Sequence, residues 1–119
     1  MTRIFVYGSL KRDGGNHALL TGQQFLGAAR TPPGFTLYTL GDYPGMVRSD
    51  DQTHDVVGEL WAVNAACLKQ LDALEGVAEG LYERITLQLT SPFADQPVEA
   101  YLYLGSLAGR SLLGAEFRL

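Results

Sequence analysis

Apolar residues recur along this chain in short alternating runs, each broken by Gly, Pro, Asp or Asn. That period of two predicts strands. Arg3–Tyr7 is the first and ends abruptly at Gly8. Gln24–Arg30 follows, weakened by Gly27, Ala28 and Ala29, and then Phe35–Leu40 after the turn Thr31-Pro32-Pro33-Gly34. A loop with two glycines and a proline, 41–45, precedes a short strand at Met46–Arg48, and a polar hairpin loop, 49–53, closes it. Asp55–Val63 is the clearest strand, with Val56, Gly58, Leu60 and Ala62 on one face and Val57, Glu59, Trp61 and Val63 on the other. Apolar residues on both faces point to a strand covered on both sides. Tyr82–Thr90 and Val98–Leu104 complete the set, separated by the turn-rich stretch 91–97. From Gly105 the tail has no firm period, and is expected as a short docked element or a partly mobile end.

Two segments switch to the helical period. Asn16 is placed to cap a short helix, His17-Ala18-Leu19-Leu20, stopped near Gly22. Residues 65–75 form the second, with Asn64 as N-cap and Gly76 as the stop. At about 100° per residue, Glu75 falls on the side of Leu68 and Leu71, while Lys69, Gln70, Asp72 and Ala73 take the other. A carboxylate on the apolar stripe, at a helix C-terminus, has its pKa pushed up by desolvation and by the macrodipole. That suits a general base or acid. The bland alternative is a last-turn Glu that curls to solvent or pairs with Arg84. Glu59, among apolar neighbours on its strand, ranks second.

The break at Gly8 matters for the same reason. Gly8-Ser9-Leu10 turns N–H groups away from the ladder, and such a turn makes a nest for an anion such as a carboxylate. An ordinary strand-end turn is the competing reading. Tyr43, in the 41–45 loop beside a strand end, is a candidate wall of a site. Many short strands with two helical segments give an α+β fold in one domain spanning residues 1–119.

Charge and cysteine content narrow the function. Nine Lys and Arg against 13 Asp and Glu leave a net charge of −4. No basic cluster is available to neutralise phosphates, so no nucleic acid is expected as a partner. No apolar run approaches the roughly 20 residues of a membrane span. The short N-terminal apolar run meets Lys11-Arg12-Asp13 at once, unlike a signal peptide. One cysteine, Cys67, makes no internal disulfide, which suits a reducing compartment. A cytoplasmic enzyme of bacterial type is expected. His17, His54 and Cys67 lack ligand spacing, so no metal and no cofactor is expected, and His17 reads as structural.

Val6-Tyr7-Gly8-Ser9-Leu10-Lys11, Asn16-His17, Val57-Gly58-Glu59-Leu60-Trp61, Leu71-Asp72-Ala73-Leu74-Glu75-Gly76 and Tyr82-Glu83-Arg84 occur in this order. Together they resemble the γ-glutamylcyclotransferase-like family, which includes the γ-glutamylamine cyclotransferases and the AIG2-like proteins. The resemblance runs from residue 4 to about residue 104. It implies a small mixed β-barrel flanked by short helices, with the site at one mouth. It also implies a 5-oxoproline-forming acyltransferase or lyase, in which the α-amine of a γ-glutamyl amide attacks its own γ-carbonyl. Glu75 is then the base, Tyr7, Gly8, Ser9 and Leu10 bind the glutamyl moiety, and Tyr43 and Tyr82 line the site. The partner is a small γ-glutamyl substrate, and the protein is expected as a monomer or weak homodimer. Two alternatives stay open: a non-catalytic module binding a small ligand in the same cavity, and a cyclotransferase removing a γ-glutamyl protecting group from a biosynthetic intermediate.

Overall fold

Among residues 1–118, which the computed structural model describes, eight strands, one α-helix and one 3₁₀ helix are formed. The strands are β1 (Thr2–Val6), β2 (Gln24–Arg30), β3 (Phe35–Thr39), β4 (Pro44–Arg48), β5 (Val57–Val63), β6 (Tyr82–Gln88), β7 (Pro97–Tyr103) and β8 (Ser111–Gly114). The 3₁₀ helix is His17–Leu20, and α1 is Ala65–Leu74.

β1 lies at the centre of a five-stranded sheet ordered β2-β5-β1-β7-β6. It runs antiparallel to β5, with Phe5 opposite Leu60, and parallel to β7, with Phe5 opposite Ala100. A second sheet has the order β4-β3-β8. The expected barrel is therefore corrected: the strands form two sheets that do not close. The expected covering of both faces is made by two different layers. Phe5, Leu60, Val98 and Ala100 face Leu37 and Met46 of the second sheet. Ile4, Val6, Trp61, Val63 and Tyr101, on the opposite face, pack on Leu20, Cys67 and Leu71 of the two helices. Each such buried aliphatic or aromatic side chain contributes about 1.5–3 kcal/mol.

Small residues had weakened the reading of β2, and there the register slips between Phe25 and Gly27. The tail is docked: β8 pairs with β3, the Val57 N–H donates to the Ala115 carbonyl (2.8 Å), and Phe117 packs against the inter-sheet core. Lys11 Nζ donates to the Phe117 carbonyl at 2.7 Å, although the side chain is almost wholly buried. Among the described residues, no helix is long and apolar enough to cross a membrane.

Candidate active site

The site begins where β1 runs out. Beyond Tyr7 the chain folds back on itself: Lys11 N–H donates to the Gly8 carbonyl (3.1 Å), Gly14 N–H to Lys11 (2.8 Å) and Asn16 N–H to Ser9 (3.0 Å). Glycine is required at position 14, because a Cβ there would lie 2.1 Å from the Ser9 carbonyl oxygen. Among the described residues, the N–H groups of Gly8, Ser9 and Leu10 meet no acceptor. Unpaired N–H groups at a turn are what an anion site of the kind expected from the sequence requires. Asn16 is not a cap, since its side chain makes no capping bond. Its Nδ2 instead donates to Ser9 Oγ at 2.8 Å, leaving the serine proton free to donate elsewhere.

The back of this loop is held by Glu59. Its Oε1 accepts from the Arg12 N–H (2.9 Å) and from Trp61 Nε1 (3.2 Å), and its Oε2 pairs with Arg12 Nε (3.2 Å). The Arg12 guanidinium also sits 3.9 Å from the centre of the Phe25 ring. Glu59 is thus engaged by three donors and does not line the pocket. His17 is structural as read, with Nδ1 3.0 Å from the Leu10 carbonyl and its ring edge-on to Trp61.

α1 delivers the other half. Asn64 Oδ1 accepts from the Cys67 N–H (2.8 Å), which caps the start as expected. The helix stops one residue earlier than predicted, and Glu75 is its C-cap, bonded through its N–H to the Leu71 carbonyl at 3.0 Å. Gly76 then takes φ +66°, a conformation that glycine alone adopts without strain. Arg84 does not pair with Glu75. It bridges Asp72 (3.1 Å) and Glu99 (3.0 Å), and Tyr101 OH donates to Asp72 Oδ1 at 2.7 Å. Glu75 is left half-buried with no partner among the described residues, and burial pushes its carboxyl up to about 7.

These two halves meet in one pocket of about 290 Å³. Tyr7, Gly8, Ser9, Leu10, Tyr43, Glu75 and Tyr82, all proposed from the sequence, line it together. The tyrosines are walls. Tyr7 OH donates to the Tyr101 carbonyl (2.7 Å) and accepts from the Met46 N–H (3.2 Å), and Tyr82 OH donates to the Pro44 carbonyl (2.9 Å). Burial first pushes the Tyr7, Tyr82 and Tyr101 hydroxyls far above their usual range, aided next by Glu75 at Tyr82 and by Asp72 at Tyr101, so they stay neutral. Tyr101, Asn16, Leu74 and Leu81 also line the pocket and were missed as site residues. Asn16 and Leu74 stood within quoted motifs, whereas nothing local marked Leu81 and Tyr101. Among the described residues, no cluster of His, Cys, Asp or Glu is arranged to hold a metal.

The family model described as gamma-glutamyl cyclotransferase, AIG2-like matches residues 4–115. The chain belongs to that family. It is similar to the gamma-glutamylcyclotransferase family protein YtfP of Escherichia coli, 41% identical over 86 residues and 72% of each chain. It is also similar to the gamma-glutamylaminecyclotransferase of Rattus norvegicus, 34% identical over 96 residues, 75% of this chain and 64% of the rat protein. The solution structure of protein ytfP from Escherichia coli superposes with a TM-score of 0.72 at 35% identity, covering 96% of this chain and 93% of that one. The crystal structure of an AIG2-like protein from Mus musculus gives 0.70 at 28% identity, covering 89% and 78%. The match to the family model spans every segment that builds the pocket.

Proposed function

We propose that this family member cyclises a γ-glutamyl amide to 5-oxoproline and frees the amine, with Glu75 as the base. The observation that carries this reading is the meeting of an unpaired, half-buried carboxylate with a turn whose N–H groups are free of acceptors, in one pocket. These N–H groups and the Ser9 hydroxyl receive the α-carboxylate and the developing oxyanion. Glu75 takes a proton from the α-ammonium, and the freed amine attacks the γ-carbonyl carbon, moving the π electrons onto oxygen. Glu75 returns that proton to the amide nitrogen as its C–N bond breaks. The second surplus proton of the ring nitrogen leaves with the amine, which departs as an ammonium. Holding the amine against its own carbonyl contributes about 7–11 kcal/mol to such a step. A carboxyl near 7 is poised to both accept and return a proton at neutral pH.

The test is mass-spectrometric release of 5-oxoproline from a panel of γ-glutamyl amines and dipeptides by wild type, Glu75→Gln and Glu59→Gln. Loss of a positioned base costs about 10²–10⁴ in rate, so Glu75→Gln is expected to be nearly inactive. Glu59→Gln is expected to keep turnover within about tenfold, with the loss in KM, as for a group that only positions the loop. A dead Glu59→Gln beside a Glu75→Gln within about threefold of wild type would overturn the assignment. Saturable binding with no 5-oxoproline from any wild-type reaction would point to the binding module instead.

A further inference from the structure

The pocket is graded along its depth. Tyr7, Tyr82 and Tyr101 are 6%, 5% and 2% exposed, whereas Leu74, Leu81 and Tyr43 at the mouth are 42%, 54% and 50% exposed. Among the described residues, Glu75 is the one charged residue on the lining. Among the described residues no Lys or Arg lines the pocket: Arg84 is paired with Asp72 and Glu99, Arg12 with Glu59, and Lys11 Nζ is turned to the Phe117 carbonyl. A leaving amine that carries a carboxylate, as in a γ-glutamyl dipeptide, would bring its charge toward Glu75 with no counter-charge to meet it. An apolar amine would instead cover two leucines and a tyrosine that water now touches.

We infer that the amine released from this pocket is uncharged and apolar beyond its nitrogen, an alkyl- or arylalkylamine, and that Leu74, Leu81 and Tyr43 select it. The inference rests on the γ-glutamyl amide reading for the inner half of the pocket, and adds the identity of the outer half. Methylene burial predicts a gain of up to about fourfold in affinity for each carbon that the mouth covers.

The test compares γ-glutamylmethylamide, γ-glutamylbenzylamide and γ-glutamylglycine in two ways: kcat/KM with wild type, and calorimetric Kd with Glu75→Gln, which needs no turnover. The benzylamide is expected to surpass the methylamide by at least about tenfold on both measures, with the dipeptide weakest. Leu74→Ser and Leu81→Ser, measured separately, are each expected to shrink the benzyl-to-methyl ratio several-fold. Both side chains are exposed, and unchanged melting temperatures would exclude loss of fold as the cause. A flat series, or a preferred dipeptide, overturns the inference even if 5-oxoproline is released. The expected order of Kd without any 5-oxoproline removes the cyclisation and leaves the selectivity standing. No binding of any of the three removes both. Sedimentation equilibrium provides a further check, because a dimer abolished by Leu81→Ser would mean that a second copy covers this rim.

Discussion

Whether Glu75 is a base or an ordinary last-turn carboxylate turns on who holds Arg84. The guanidinium is placed between Asp72 and Glu99, so desolvation acts on Glu75 unopposed. Two predictions belong to this residue. The kcat/KM of wild type is expected to rise with pH through about 7, as the carboxylate becomes available to accept a proton, and a pH–rate profile checks it. Stability is expected to move the other way. The unfolded chain ionises Glu75 from about 4.5 upward while the folded chain holds its proton to about 7, so the folded state loses stability across that window and the loss is constant above it. Glu75→Gln removes the cost. Discounted for partial exposure, the variant is expected to be about 1–2 kcal/mol more stable than wild type at pH 8, with the gap closing below about pH 4.5. Denaturant melts at the two pH values measure it. The inward aim of Glu75 was legible because helical period and a C-terminal glycine are local signals. Its isolation was not, since nothing in the sequence fixes which acid Arg84 chooses.

At the level of elements, the site depends on a turn and a helix end that are braced from behind. Gly14→Ala places a Cβ against the Ser9 carbonyl, so the loop must open. The expected result is a destabilisation of at least about 1–3 kcal/mol with a raised KM, read by thermal melts and steady-state kinetics. Cys67 lies in the opposite situation. It is buried under α1 with Sγ 3.4 Å from the Leu19 carbonyl, and burial pushes its thiol up, away from the reactive thiolate. Cys67→Ala is expected to cost roughly 1 kcal/mol and to keep turnover per folded molecule, with insensitivity to thiol alkylation as the companion check. Most strands were legible from alternation, and the ends of α1 from Asn64 and Gly76. β8 escaped because Ser111-Leu112-Leu113-Gly114 is short and mostly exposed, so pairing with β3 rather than a buried face defines it. Asn16 misled for a related reason: the residue types that cap helices also bond to serines, and sequence does not say which partner is near.

The whole molecule brings the site together from distant stretches: residues 5–10, 16, 43–44, 74–75, 81–82 and 101. Two sheets with helices behind one of them look, in sequence, like a barrel, because either arrangement buries both faces of β1 and β5. The central place of β1 also sets a clock. Its neighbour β5 is made some fifty residues later, and its other neighbour β7 nearly a hundred residues later. At roughly 5–20 residues per second, a ribosome would leave Ile4-Phe5-Val6 without β7 for on the order of 5–20 seconds. For that interval β1 is an apolar strand with an open edge, and Tyr7 lacks the carbonyl of Tyr101 that fixes its hydroxyl. Chains arrested on the ribosome with residues 1–96 emerged are expected to be cleaved by a pulse of protease, and chains with all 119 residues emerged to resist it. Equal resistance would mean that β1 and β5 hold the pocket's floor alone. Birth of the pocket therefore waits on the synthesis of β7, and until then β1 is an exposed apolar strand of the kind that chaperones hold.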